Sequence, residues 1–142
     1  MLRPGQPAER LVYPGDDEAS SLHLAVIERN RTVSVASFYL EPVPDRVEEA
    51  LCGVIAGAPG IRIRGMATEP SHRGRGCGRM LVERGLGELC AQHTGLHAAW
   101  CNARTTASGY YERVGFVVAS RVFELPDIGP HVVMVRRVEG SA

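Results

Sequence analysis

The chain has 142 residues, enough for one domain with a real core and too few for two. An apolar share of 44% and a charged share of 23% exclude a disordered chain, and the longest apolar run is far short of the ~20 residues of a membrane span. A formal net charge of zero argues against a nucleic-acid partner, which would call for a basic excess.

Met1 leads into Arg3-Pro4-Gly5 with no apolar stretch, so no secretory signal is expected and the cytoplasm is the default location. Cys52, Cys77, Cys90 and Cys101 form no C-x-x-C pair and read as reduced thiols; no metal site is expected. Lys is absent, and every member of the Lys-plus-Arg total is Arg.

Residues 1–20, with Pro4, Pro7 and Pro14-Gly15, read as turn and loop. Leu22, Leu24 and Val26 alternate with His23, Ala25 and Ile27, a strand pattern, and Thr32 to Tyr39 is β-branched and aromatic. With the polar turn Glu28 to Arg31 between them, the two form an antiparallel hairpin. Asp45, three residues before Glu48, resembles a capping box, and Val47, Ala50, Leu51, Val54 and Ile55 follow at helical spacing, which predicts a helix over 46–56. Ile61 to Thr68 reads as a strand. A second helix over 78–93 opens at Gly76 or Gly78, buries Leu81, Val82, Gly85, Leu86, Leu89 and Cys90, and stops at Thr94-Gly95.

Leu96 to Cys101 is a continuous apolar run of strand length. Thr105 or Thr106 caps a third helix through Val114, and two more strands follow at Phe116 to Leu125 and His131 to Val138. A right-handed crossover from strand 61–68 through helix 78–93 to strand 96–101 makes those two strands parallel. The remaining strands can be antiparallel. The expected class is α/β, a central mixed sheet with helices on both faces.

The segment Ile63 to Arg79, IRGMATEPSHRGRGCGR, is the most informative. Gly74, Gly76 and Gly78 let successive backbone N–H groups converge, and a helix start adds unpaired donors and the positive end of a dipole. His72, Arg73, Arg75 and Arg79 crowd that positive end with cations, which is unfavourable for folding alone. A bound polyanion resolves the conflict, because its oxygens accept the N–H bonds and pair with guanidinium. The alternative is a tight glycine turn with solvated arginines. A Walker A loop is excluded by the absence of Lys, and a Rossmann fingerprint by Arg79 where its third glycine should stand.

These residues resemble the GCN5-related N-acetyltransferase (GNAT) family. Its signature, Q/R-x-x-G-x-G/A at a strand-to-helix turn, matches Arg73, Gly76 and Gly78, with Pro70 three residues ahead. The segment Trp100 to Phe116, WCNARTTASGYYERVGF, is similar to the family's fifth strand and next helix. The resemblance spans roughly 21–138 and implies a GNAT-like acyl-CoA N-acyltransferase fold in one domain, 1–142, whose N-terminal region (1–20) is shorter than usual. It implies strands 61–68 and 96–101 splayed at their C-terminal ends around the pantetheine arm of acetyl-CoA. The backbone of Met66, Ala67 and Thr68 would line that arm, and Arg73, Gly74, Arg75, Gly76, Cys77, Gly78 and Arg79 would hold the pyrophosphate. Asn102 would contact the cofactor, and Tyr111 would protonate the departing thiolate.

The activity so implied is direct acetyl transfer to a primary amine of a small molecule or a protein, in a ternary complex and without a metal; family members are commonly homodimers. A non-catalytic acyl-CoA-binding module is the alternative. Neither a nucleic-acid nor a membrane partner is implied. His23, His131, Glu69 and Glu124 are candidates for the base, as is an ordered water. Arg62 and Arg64 share one face of their strand and point either to an acidic acceptor or to ion pairs with neighbouring acids.

Overall fold

A computed structural model of the protein describes residues 21–138. The loop expected over 1–20 lies outside them. The elements in chain order are β1 (Leu22–Glu28), β2 (Arg31–Leu40), α1 (Glu49–Cys52), β3 (Gly60–Thr68), α2 (Cys77–Gln92), β4 (Ala98–Arg104), α3 (Ser108–Arg113), β5 (Val117–Val118), β6 (Phe123–Leu125) and β7 (Gly129–Arg137). Seven strands and their helices make a mixed α/β fold. The described residues fall into two compact units, one of 21–39 with Ile63–Leu89 and one of Leu40–Arg62 with 90–138.

In the first unit β1 and β2 form the expected antiparallel hairpin, turning through Arg29 and Asn30, both at positive φ. Its register pairs Leu22 with Phe38 and His23 with Ser37, so side chains of these two pairs lie on opposite faces. Phe38 is fully buried against α2. A Cβ placed on Gly85 would stand 2.3 Å from Phe38 Cζ, so only glycine lets the helix approach this closely. Leu81, Val82, Leu86 and Leu89 are buried on the same helix as their spacing predicts, whereas Cys90 is half-buried.

In the second unit the first residues of β3 pair in parallel with β4: Gly60 with Ala98, Ile61 with Ala99 and Arg62 with Trp100. The ladder ends there, although β4 runs on to Arg104 against antiparallel β7. β7 also carries β5 and β6. One core packs Trp100, Val133, Val135 and Phe123 against Val43, Val47 and Val54, and the Trp100 indole N–H donates to the Glu41 carbonyl at 3.0 Å.

Three elements depart from the sequence reading. The helix expected over 46–56 is a single turn, because Gly53 leaves the helical region at φ +74° and closes it by donating to the Glu49 carbonyl. Val47 and Val54 are buried from the flanking loops, while Leu51 and Ile55 are exposed. The strand expected over 116–125 is broken in two, since the Ser120 hydroxyl replaces a backbone acceptor and takes the Val133 N–H at 2.8 Å. The third helix has no threonine cap; Thr105–Ala107 is a 3₁₀ turn, and α3 begins at Ser108.

Candidate active site

The chain leaves β3 at Thr68, crosses a 3₁₀ turn at Pro70–His72, and enters α2 at Cys77. Gly74 and Gly76 hold φ of +79° and +81°, and nothing lies within 4 Å of where their Cβ atoms would be. Their glycine requirement is therefore one of backbone conformation, in the alternating pattern that turns successive amides to one side. Met80 donates the first helical bond, to Gly76 at 2.9 Å, which leaves the amides of Cys77 and Gly78 in the unpaired first turn of α2. Arg73, Arg75 and Arg79 are all exposed around this helix start, and Cys77 and Gly78 are buried in it. Arg73 has no ion-pair partner among the described residues.

On the flank of the turn, His72 Nε2 lies 3.1 Å from Glu28 Oε1 and its Nδ1 2.9 Å from the Ser71 hydroxyl. That hydrogen bond from His72, then the charges of His72, Arg75 and Arg29, hold the Glu28 carboxyl below its usual range. The Glu28 carboxylate beside the turn is thus itself committed.

The three residues before the turn, Met66, Ala67 and Thr68, are half-buried at the end of β3. The Thr68 hydroxyl is fixed by Ser34 at 2.8 Å, and the Glu69 amide bonds the Val33 carbonyl at 2.8 Å. Gly65, just upstream, has φ +63° inside the strand, a kink that sequence reading passed over although a glycine within a strand pattern is its signal.

In the second unit Asn102 is half-buried on β4 opposite Val133. Tyr111 is half-buried on α3, its ring edge-on to Phe116 at 5.8 Å and to Tyr110 at 5.3 Å. Its carbonyl accepts the amides of Val114 and Phe116, while Gly115 at φ +96° makes the turn between them. The glycine of the segment Tyr111 to Phe116 is thus a conformational necessity. Burial, with smaller contributions from Cys101 and Tyr110, pushes the phenol up. Burial also pushes the Cys101 thiol up to about 12 against the pull of Arg62. Both groups are protonated at neutral pH.

The candidate bases differ in their engagements. Glu69 accepts two bonds from Arg31 Nη2, at 2.7 and 2.9 Å. Glu124 is exposed. His23 Nδ1 meets the Ser37 hydroxyl at 2.9 Å, and His131 Nδ1 meets the Gly129 carbonyl at 2.8 Å. Arg62 takes the ion-pair option, to Glu41 at 3.2 Å, and lies over Trp100 at 4.9 Å; Arg64 lies over Tyr39 at 5.9 Å. Among the described residues no group of three or more His, Cys, Asp or Glu is placed to hold a metal ion.

A family model described as "Acetyltransferase (GNAT) domain" matches residues 20–118. A Bacillus subtilis (strain 168) protein named "Uncharacterized N-acetyltransferase YitI" is 33% identical over 141 residues, covering 99% of this chain and 87% of its own length. Among solved structures, one of a putative N-acetyltransferase from Lactobacillus plantarum matches with a TM-score of 0.58 at 20% identity, over 80% of this chain and 66% of that one. An aminoglycoside 6'-N-acetyltransferase complexed with coenzyme A matches with a TM-score of 0.61 at 12% identity, over 84% of this chain and 74% of that one.

Proposed function

The chain belongs to the GNAT acetyltransferase family, and from that premise we propose that it moves an acetyl group from acetyl-CoA directly to a primary amine of a small molecule or a protein. The observation that carries the donor assignment is the turn from Arg73 to Gly78. Left-handed glycines at 74 and 76, a bare helix start and exposed Arg73, Arg75 and Arg79 together supply amides and guanidinium groups for a diphosphate. The solved relative with coenzyme A bound supports the same reading.

In this mechanism the pyrophosphate rests on Arg73, Gly74, Arg75, Gly76, Cys77, Gly78 and Arg79, and the pantetheine arm bonds the backbone of Met66, Ala67 and Thr68. Asn102 contacts the same arm. The amide of Met66 donates toward the thioester oxygen, where negative charge grows as the amine attacks. Tyr111, protonated at neutral pH, gives its proton to the coenzyme A sulfur as the carbon–sulfur bond breaks. Transfer is direct: no side chain carries the acetyl group, and Cys77 is a buried residue at the start of α2.

The test is thiol release from acetyl-CoA across a panel of primary amines, with the acetylated product identified by mass. Release that depends on an amine supports the proposal. Coenzyme A binding without amine-dependent release from any member of the panel contradicts it.

A further inference from the structure

We propose that His131 is the general base that takes the proton from the acceptor amine, an inference that rests on acetyl transfer to an amine as the reaction. His131 stands directly opposite Arg104, the last residue of β4, in the β4–β7 ladder. β3 and β4 run parallel, and ligand crevices of such sheets lie beyond the carboxyl ends of the strands. From that same end the chain passes through Thr105–Ala107 into α3, which bears Tyr111.

The ring itself is held in one tautomer. His131 is only 4% exposed and packs near Phe123, with centroids 6.1 Å apart. Nδ1 lies 2.8 Å from the carbonyl oxygen of Gly129. A carbonyl can only accept, so Nδ1 carries the hydrogen and Nε2 presents its lone pair. Gly129 has φ +107°, a conformation that L side chains rarely adopt, and this aims its carbonyl at the ring. Nε2 has no hydrogen-bond partner among the described residues. A buried imidazole with a fixed tautomer and an imine nitrogen that no described residue engages is what a base requires.

The charged groups around the ring are cationic. Arg104 faces it from β4, and the Arg46 guanidinium lies 4.0 Å from the centre of the Phe123 ring. Glu124 pairs with Pro130, next in sequence to His131, and so points to the opposite face of its strand; Asp127 is exposed in the turn before β7. The other candidates lack one of these features. Glu69 is bound by Arg31, and the Ser37 hydroxyl beside His23 can donate or accept and so fixes no tautomer.

An acceptor amine arrives as R–NH₃⁺, since alkyl ammonium groups hold their proton well above neutrality. Nε2 takes one proton, and the freed nitrogen pair forms the C–N bond as the C–S bond breaks. The nitrogen then loses a second proton. One of the two ends on the coenzyme A thiol by way of Tyr111 and the other passes from His131 to solvent. The products are R–NH–acetyl, the free thiol and one proton.

The experiment joins two readings on the wild-type chain and on H131Q. Nitrogen-15 NMR of labelled histidines, titrated over about pH 5 to 9, reports tautomer and titration midpoint. Thiol release from acetyl-CoA with a polyamine, amino-acid amides and an aminoglycoside as the amines gives the pH–rate profile. We expect His131 with hydrogen on Nδ1 and a midpoint that matches the acidic limb of kcat/KM. We also expect H131Q to lose that limb and about 10²- to 10⁴-fold in rate, while coenzyme A still raises its melting temperature. Hydrogen on Nε2, a mismatched midpoint, or an H131Q profile like that of wild type overturns the assignment and leaves acetyl transfer standing. A wild-type chain that binds coenzyme A but acetylates none of the amines overturns both. Should H131Q fail to fold, the wild-type tautomer and midpoint alone decide.

Discussion

Tyr111 ties the proposed chemistry to stability through one quantity, the cost of ionising a buried phenol. Its folded pKa is raised, so below about pH 10 the phenol is protonated in both states and carries no penalty. Above that, the unfolded chain ionises while the folded one holds its proton, and stability falls as pH rises. Y111F should therefore lessen the alkaline loss of stability in urea melts, and the loss that remains should include the part from Cys101, which is shifted in the same direction. The same variant should lower kcat by about 10²- to 10⁴-fold with coenzyme A affinity nearly unchanged. Equal loss of both would make Tyr111 a binding residue. At the turn, replacing Arg73 and Arg75 with Ala should weaken coenzyme A by about ten-fold or more per lost charge-assisted bond and leave pantetheine, which lacks the diphosphate, unaffected in calorimetry. The turn stood out in the sequence as a candidate because cations crowded at a helix start contradict folding preference and demand an explanation. Sequence offered His131 only as one of several candidate bases, because its tautomer is set by a carbonyl that only the folded turn at Gly129 brings to it.

At the scale of elements, strands and the long helix were readable because period and punctuation agreed. In α2 the stripe of Leu81, Val82, Gly85, Leu86 and Leu89 faces inward as spaced. Where the two signals disagreed, punctuation won. Val47, Ala50, Leu51, Val54 and Ile55 keep helical spacing, yet Gly53 stops the helix after one turn, and Ala50, Leu51 and Ile55 are left in water. The broken strand before β7 turns on Ser120, whose hydroxyl substitutes for backbone in a way no propensity reveals. At Gly85 helix propensity and packing pull in opposite directions. Ala is the better helix former by about 1 kcal/mol, but its Cβ would overlap the Phe38 ring, buried and unable to withdraw. Overpacking of this kind costs about 1–3 kcal/mol, so G85A should lower the melting temperature, whereas G87A, where a Cβ meets open space, should leave it unchanged or raise it.

For the whole molecule, family membership and the mixed α/β architecture agree with what the turn and the Trp100 to Phe116 segment implied. The acceptor amine stayed outside the reach of sequence, since the donor-side residues that carry the resemblance say nothing of its shape. Glu41 shows a further limit: its carboxylate and carbonyl organise Arg62 and Trp100, residues 21 and 59 positions away, and no local pattern marks it. Whether the turn at Arg73 to Gly78 is built for the diphosphate of coenzyme A is decided by a thermal melt with coenzyme A and with pantetheine. At a coenzyme A concentration about 100-fold above its Kd, the folded state gains roughly 2.7 kcal/mol, a rise of about 5–10 °C, and pantetheine at the same concentration gives far less. A melting curve that coenzyme A leaves where it was, or that pantetheine moves equally, would contradict the account.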